Sequence, residues 1–154
     1  MESLHAPIIM RKIIYGLLIS VLLTTTSLAF ASKNNFQFQV KEYHTQRQSG
    51  QTLDLNIRYA LKDDLAISQY PDYRDLREKA LHYLEPSEKL PADVYWELIA
   101  QEIGTDLMSH YPLSGISVQI LVYSNDDPGR YEPGLHGPTY TVGDVIPFSI
   151  SIKK

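Results

Sequence analysis

The sequence predicts an α+β fold in which two helices pack on one face of a four-stranded antiparallel sheet. Three observations carry this prediction. Apolar residues alternate with polar ones near residues 36–59, recur every three or four residues between 72 and 110, and alternate again from residue 116 onward. Periods of two and of 3.6 are typical of half-buried strands and amphipathic helices. The order is therefore hairpin, two helices, hairpin, with both helices on one side.

The N-terminal segment has the pattern of a secretory signal peptide. Arg11 and Lys12 precede the apolar run Ile13–Leu23. Ala29 and Ala31 then occupy the small-residue positions of an A-x-A cleavage site. We expect cleavage after Ala31 and a periplasmic or secreted protein.

Cleavage there defines two parts of the chain, a signal peptide over 1–31 and a single domain over 32–154, which is 154 − 31 = 123 residues long. Such a length suits one domain. The true start is either Met1 or Met10, since both precede the signal. An uncleaved anchor is the alternative, because the apolar run extended to Ala31 approaches the roughly 20 residues of a membrane span.

Charge and cysteine content exclude several classes of function. The whole chain has 18 acidic and 14 basic residues. Removing the leader takes away Glu2, Arg11 and Lys12, which leaves 17 acidic and 12 basic residues and a net charge of −5. This balance disfavours a nucleic-acid-binding protein, whose basic residues cluster on one surface. The chain has no cysteine, so disulfides and thiolate chemistry are excluded and the domain depends on its core and on subunit contacts.

The first predicted hairpin joins the strand Phe36–Tyr43 to a second strand through the turn Gln46–Gln51. In the second strand, one face is apolar and carries Leu53, Leu55, Ile57 and Tyr59. The other face is polar and carries Thr52, Asp54, Asn56 and Arg58. The apolar face belongs to the core, and the polar face meets either water or an interior built by several copies of the chain.

Two helices are predicted next. The first runs from Asp72 to Leu84 and ends before Pro86, because a residue preceding proline avoids the helical region. Its predicted apolar stripe is Tyr73, Leu76, Ala80 and Leu84. The second opens at Pro91 and continues to about His110, with proline and an acid suited to a first helical turn. Its predicted stripe is Tyr95, Leu98, Ile99, Ile103 and Leu107.

The second hairpin begins with the strand Ile116–Tyr123. A loop rich in glycine and proline, 124–138, follows it. The last strand is predicted around Phe148, Ile150 and Ile152, after a bend at Gly143.

The order and spacing of four segments resemble the dihydroneopterin aldolases, within the wider tunnelling fold of pterin- and purine-binding enzymes. The segments are QSGQTLDLNIRYAL, SQYPDYRDLREKA, ADVYWELIAQEI and ISVQILV. The resemblance covers residues 38–142. It implies a role in folate metabolism and a homo-tetramer or homo-octamer whose sheets join into a barrel with the helices outside. The polar face of the second strand would then line a shared tunnel.

The resemblance also implies a ligand site. Asp93, beside Ala92, matches the family glutamate that accepts hydrogen bonds from the N–H groups of the pterin. Tyr73 matches the active-site tyrosine, which can pack on the ring or relay a proton. The alternatives are a charge that favours the helix dipole for Asp93 and core packing for Tyr73.

Two positions depart from the family pattern. The carboxylate before the turn is replaced by Gln46, and the general acid/base lysine is replaced by Val122. Neither the Gln46 nor the Val122 side chain can exchange a proton near neutrality. The catalytic residues are therefore unknown, and Tyr73 and Gln46 are only weak candidates. Lys41 could approach from the first hairpin, although an exposed strand lysine is the simpler interpretation.

No metal or cofactor is expected. Related synthases hold zinc with three histidines, two of them in H-x-H, whereas the histidines of this domain stand alone at His44, His82, His110 and His136. We interpret His110 as a surface residue at a helix end and His136 as a solvated loop residue.

Three functions remain open from the sequence. The first is an exported protein that binds a pterin- or purine-like heterocycle at a subunit interface without efficient aldolase catalysis. The second is an active dihydroneopterin aldolase or epimerase with an unplaced acid/base. The third is an oligomeric scaffold without a ligand. Export favours the first, since folate synthesis is cytosolic.

Overall fold

The protein is described by a computed structural model over residues 35–123 and 136–149. These ranges contain two α-helices and four strands: β1 (Asn35–Thr45), β2 (Gln51–Leu61), α1 (Tyr73–Leu84), α2 (Trp96–His110), β3 (Leu113–Val122) and β4 (Thr139–Gly143). The sheet is antiparallel throughout, in the order β1-β2-β3-β4. The predicted α+β fold class is confirmed. The predicted signal peptide and the loop segment 124–135 lie outside the described residues.

The core lies between the two helices and one face of the sheet. Leu53, Leu55 and Ile57 of β2 are fully buried there, as are Leu76 of α1 and Ile103 of α2. Burying an apolar side chain of this size contributes roughly 1.5 to 3 kcal/mol. Neither described helix is long and apolar enough to cross a membrane.

Helix α1 begins as predicted, but its first residue is not part of the core. The Asp72 side chain caps the helix by accepting a hydrogen bond from Arg74 N at 2.9 Å. Hydrogen bonds from Arg74 lower the pKa of Asp72 to about 2. Tyr73 is 54% exposed, because it packs at the edge of the sheet, 6.3 Å from the ring of Phe38, rather than under the sheet.

Helix α2 begins five residues later than predicted, at Trp96. Residues 91–94 form a turn in which Val94 N donates to Pro91 O at 3.3 Å. Asp93 therefore lies before the helix rather than in its first turn.

The buried face of α2 differs accordingly from the predicted stripe. Tyr95 and Leu98 are 73% and 49% exposed. The buried positions are Trp96, Ile99, Ala100, Ile103, Gly104 and Leu107. Gly104 is needed here because a Cβ atom at this position would lie 2.6 Å from Cδ1 of Tyr140, whose ring packs on the helix.

The last strand was predicted in the wrong place. β4 ends at Gly143, where φ is +73°, and the bend follows this strand instead of preceding it. Phe148 is outside any strand, whereas Ile150 and Ile152 lie beyond the described residues. Instead of pairing in the sheet, Phe148 packs against Arg58, whose guanidinium carbon is 4.3 Å from the ring centroid.

The chain after β4 crosses the polar face of the sheet. Arg58 Nη1 donates to Ile146 O at 3.0 Å, and Phe148 N donates to Ser117 Oγ at 3.2 Å. This segment covers part of the face that the sequence left open to water or to a shared interior.

The rest of the polar face carries a row of hydrogen-bonded side chains, one from each strand. Gln39 Nε2 donates to Asn56 Oδ1 at 2.6 Å, and Asn56 Nδ2 donates to Gln119 Oε1 at 3.1 Å. Gln119 Nε2 then reaches Thr139 Oγ1 at 3.4 Å. Asn56 is buried within a single chain. Its amide oxygen and nitrogen are both hydrogen-bonded, to Gln39 of β1 and Gln119 of β3.

A β-bulge interrupts β1 between Val40 and Tyr43. Glu42 there has φ of +51°, and its backbone N–H donates to Asp54 Oδ1 at 2.8 Å. The second oxygen of Asp54 accepts from the hydroxyl of Tyr123 at 3.1 Å. The bulge thus supplies a partner for a buried carboxylate on the polar face.

Candidate functional site

A cavity of about 700 Å³ opens where the β1–β2 turn meets the start of α2 and the chain entering β4. Its walls come from three separate parts of the chain. They are formed by Gln48, Asp93, Tyr95, Trp96, Glu97, His136, Gly137, Pro138 and Thr139.

The cavity combines acceptors with flat apolar walls. Asp93 and Glu97 are its two carboxylates, and the ring-bearing residues Trp96, which is 5% exposed, and Pro138 also line it. Among the described lining residues, no lysine or arginine is present. Such a site can accept N–H donors from a flat ring and stack against its faces.

The segment that carries Asp93 is held by Gln48. The backbone N–H of Gln48 donates to Ala92 O at 3.0 Å, and its side-chain Nε2 donates to Val94 O at 3.4 Å. Its Oε1 accepts from Trp96 Nε1 at 3.0 Å. Asp93 is therefore bracketed by bonds to both of its neighbours.

The preceding residue, Arg47, holds the rest of the connection between the helices. Its guanidinium is fully buried and donates to four backbone carbonyl oxygens, those of Tyr83 at 3.1 Å, Glu85 at 2.8 Å, Leu90 at 3.1 Å and Pro91 at 2.6 Å. Burial lowers the pKa of Arg47, and the nearby carboxylate of Glu85 opposes that effect. The β1–β2 turn thus organises the loop that leads to the cavity.

Val122 does not reach the cavity with its side chain. It is 1% exposed and belongs to the core. Its backbone N–H donates to His136 O at 2.6 Å, and His136 N donates back to Val122 O at 3.3 Å. Position 122 therefore presents an apolar side chain to the core, and the residue paired with it across the sheet lines the cavity.

His136 is therefore not the solvated loop residue that the sequence suggested. It is half-buried and shares the cavity with Asp93 and Glu97. Sequence reasoning also missed Gln48 and Trp96, since nothing local marks either residue as part of a site.

Within one chain, the other predicted site residues lie apart from Asp93. Tyr73 is at the start of α1, beside Phe38 of the edge strand β1. Gln46 is exposed, and its backbone N–H points to Glu85 Oε2 at 3.5 Å. Neither residue lines the cavity. Ala92 contributes its carbonyl to Gln48 rather than to the cavity wall.

A second cavity, of about 620 Å³, lies along α1 and α2 and the loop between them. One of its carboxylates, Asp106, is ion-paired with Lys79 Nζ at 3.2 Å and lies 3.1 Å from His110 Nδ1. Because this carboxylate already has a cationic partner, we take the Asp93 cavity as the candidate site.

No metal centre is found over residues 35–123 and 136–149, where no three histidine, aspartate or glutamate side chains are grouped to hold an ion. His44 instead pairs with a hydroxyl, its Nδ1 lying 2.8 Å from Thr52 Oγ1. His110 is bound to the end of its own helix.

No protein-family model matches the chain. No curated protein matches it by sequence either. Among solved structures, E. coli dihydroneopterin aldolase in complex with neopterin is similar, with 12% identity and a TM-score of 0.50, covering 70% of this chain and 99% of that one.

Two further structures align over comparable lengths. The apo archaeosine synthase QueF-Like has 11% identity and a TM-score of 0.48, covering 75% of this chain and 99% of that one. A Burkholderia dihydroneopterin aldolase bound to guanine has 10% identity and a TM-score of 0.48, covering 72% and 93%. The match to the E. coli enzyme shows a shared fold, so the predicted dihydroneopterin aldolase-like subunit fold is confirmed.

Proposed function

We propose that this protein binds a flat, N–H-rich heterocycle of the pterin or purine type in the Asp93 cavity, without efficient aldol cleavage. The observation that carries the proposal is the placement of Asp93 in a cavity that Trp96 and Pro138 also line, with no lysine or arginine among its described lining residues. A carboxylate that accepts two adjacent N–H groups forms charge-assisted bonds worth roughly 1.5 to 3 kcal/mol each. The solved neighbours that hold neopterin and guanine support this ligand class.

The same proposal includes a ring of identical subunits, a homo-tetramer or homo-octamer. Large apolar side chains are exposed at two places on the domain. Tyr70 and Tyr73 lie beside edge strand β1, and Tyr95 lines the cavity, with Leu98 exposed three residues further along the chain. Pairing β1 of one subunit with β4 of the next would cover both surfaces and leave no open sheet edge. It would also bring Tyr73 of the partner subunit toward Asp93.

Light scattering tests the assembly directly. We expect a mass several times that of the mature chain, which is about 14 kDa for 123 residues at roughly 110 Da each. A monomer at all micromolar concentrations would refute the ring.

The absence of efficient cleavage is proposed because the positions expected to exchange protons cannot do so. Val122 is buried in the core, and Gln46 is outside the cavity lining. Loss of a positioned acid/base costs about 10² to 10⁴ in rate. The second candidate, an active aldolase or epimerase, is favoured by one observation, the presence of His136 in the cavity, since histidine is the most common general acid or base in enzymes.

We further propose that the chain is exported, with a mature N-terminus at Ser32. The proposal is supported by the signal-peptide pattern over residues 1–31. Mass spectrometry of the protein from cell fractions is the test. An intact leader together with recovery from the cytosol would contradict export.

The deciding experiment measures neopterin and guanine binding, and dihydroneopterin turnover, in the wild type and in Asp93→Asn. Loss of the carboxylate charge should weaken binding about 10- to 150-fold, which corresponds to roughly 1.5 to 3 kcal/mol. Asp63→Asn, at an exposed position after β2, is the matched control and should leave binding unchanged. Equal binding by both variants would remove Asp93 from the site, and robust wild-type turnover would favour the active enzyme.

A further inference from the structure

We propose that Gln48 is a positioning residue that sets the orientation of Asp93 and Trp96 in the cavity. The inference rests on the proposed function of that cavity. It assigns to one amide side chain the task of joining the β1–β2 turn to the segment that carries the ligand acceptor.

The hydrogen bonds of Gln48 all go to one short segment. Its backbone N–H binds Ala92 O at 3.0 Å, and its Nε2 binds Val94 O at 3.4 Å. Because these carbonyls belong to the residues on either side of Asp93, the two bonds limit movement of the segment that carries the carboxylate. A free loop would allow Asp93 many orientations, and each would have to be lost again on binding.

The third bond fixes a wall of the cavity. Oε1 of Gln48 accepts from Trp96 Nε1 at 3.0 Å. One amide thus sets the relative position of an acceptor and a stacking surface. A flat heterocycle needs both groups at once, since its edge must meet the carboxylate while its face meets the indole.

The backbone at Gln48 indicates that the side chain is required at this place. Gln48 has φ of +48° and ψ of +44°, and Ser49 and Gly50 follow with φ of +70° and +88°. Glycine adopts this left-handed region readily, and glutamine does so rarely. Non-glycine residues in such conformations cluster at functional sites, where surrounding contacts hold them. Here the contacts are the three bonds to residues 92, 94 and 96.

The chain contains a single tryptophan, so its fluorescence reports on Trp96 alone. Two substitutions separate the two side-chain bonds. Gln48→Glu keeps an acceptor for Trp96 Nε1 but has no donor for Val94 O, and Gln48→Met has neither. Gln101→Met, at an exposed position on α2, is the matched control for the change in side-chain chemistry.

The experiment measures Trp96 emission, its quenching by acrylamide, and neopterin and guanine affinity by equilibrium dialysis. All measurements use the full chain below the melting temperature of every variant. We expect Gln48→Met to shift Trp96 emission to longer wavelength and to weaken binding about tenfold. Gln48→Glu should leave emission close to the wild-type value and still weaken binding. Gln101→Met should change neither property.

The outcomes distinguish this inference from the proposed function. If the wild type binds neither neopterin nor guanine, the proposed ligand class is wrong and with it the role of Gln48 in aiming Asp93. If the wild type binds and Gln48→Met binds equally well, the ligand class stands and the positioning role is refuted. Trp96 emission that is unchanged in Gln48→Met would refute the link to the cavity wall whatever the ligand.

Discussion

Replacing Arg47 by methionine is the most severe single change that the structure predicts away from the apolar core. The two side chains have similar length, so the substitution removes the charge and the donors while keeping much of the volume. Four backbone carbonyl oxygens, all within 3.1 Å of the guanidinium, lose their partner.

The magnitude follows from burial. Arg47 has no exposed surface, and three of its partners, Glu85 O, Leu90 O and Pro91 O, lie in the loop between the helices. A buried acceptor left unpaired costs about 1 to 3 kcal/mol. The loop can relax and admit water to some of the four, so we expect a loss of about 3 to 5 kcal/mol rather than the full sum. This is a large part of the 5 to 15 kcal/mol that stabilises a typical domain.

Urea and thermal unfolding, followed by far-ultraviolet circular dichroism, measure this loss. For a domain of this size it corresponds to a fall in Tm of about 10 to 20 °C. Arg77→Met, at an exposed position on α1, is the control and should stay within about 0.5 kcal/mol of the wild type. A loss below about 1 kcal/mol for Arg47→Met would show that the guanidinium does not organise the loop.

Three further changes have definite expected results. Burial and a hydrogen bond to Glu85 raise the pKa of Tyr43 to about 12. The contribution of this contact to folding stability should therefore be complete below pH 10 and be lost as the pH rises toward 12. An ultraviolet difference titration of the wild type against Tyr43→Phe should show a tyrosine that ionises above pH 10. Gly104→Ala should destabilise the protein by about 1 to 3 kcal/mol despite the better helix propensity of alanine, because the new Cβ meets the ring of Tyr140; a gain in Tm would contradict this. Asn56→Ala should cost about 1 to 3 kcal/mol in urea unfolding, since it leaves two glutamine side chains on the polar face without their partner, and a neutral result would mean that water replaces the amide.

The parts of the fold that could be predicted from sequence are those set by local periodicity. The alternation of apolar and polar residues predicted strands β2 and β3 and their buried faces. Asp72 and Pro86 predicted where α1 begins and ends. The start of α2 could not be predicted in this way. Proline followed by an acid suits a helical first turn, yet the carbonyl of Ala92 is bound by Gln48, 44 residues earlier, and the helix begins only at Trp96.

The site was predicted less completely than the fold because its contacts are long-range. Asp93 was identified through the family resemblance, and it does line a cavity. Gln48 and His136 come close to Asp93 only after the chain has folded. Gln48 lies in the β1–β2 turn with a left-handed backbone conformation, and His136 is paired with Val122 in an isolated β-bridge. The placement of β4 was wrong because Phe148 alternates like a strand residue but packs on Arg58.

The bulge in β1 limits the length over which a strand from another molecule can pair with this edge of the sheet. Within the described part of β1, an outside strand that pairs in regular register can follow it from Asn35 to Val40, where the regular pairing of β1 breaks. Six residues at about 3.4 Å each amount to roughly 20 Å of uninterrupted pairing. Long, flat edges are the templates on which fibrils extend, and a bulge bends the strand and increases its twist. The same distortion that gives Asp54 its backbone partner thus makes this edge a poor template for open-ended aggregation, while leaving a short stretch on which one defined partner strand can pair.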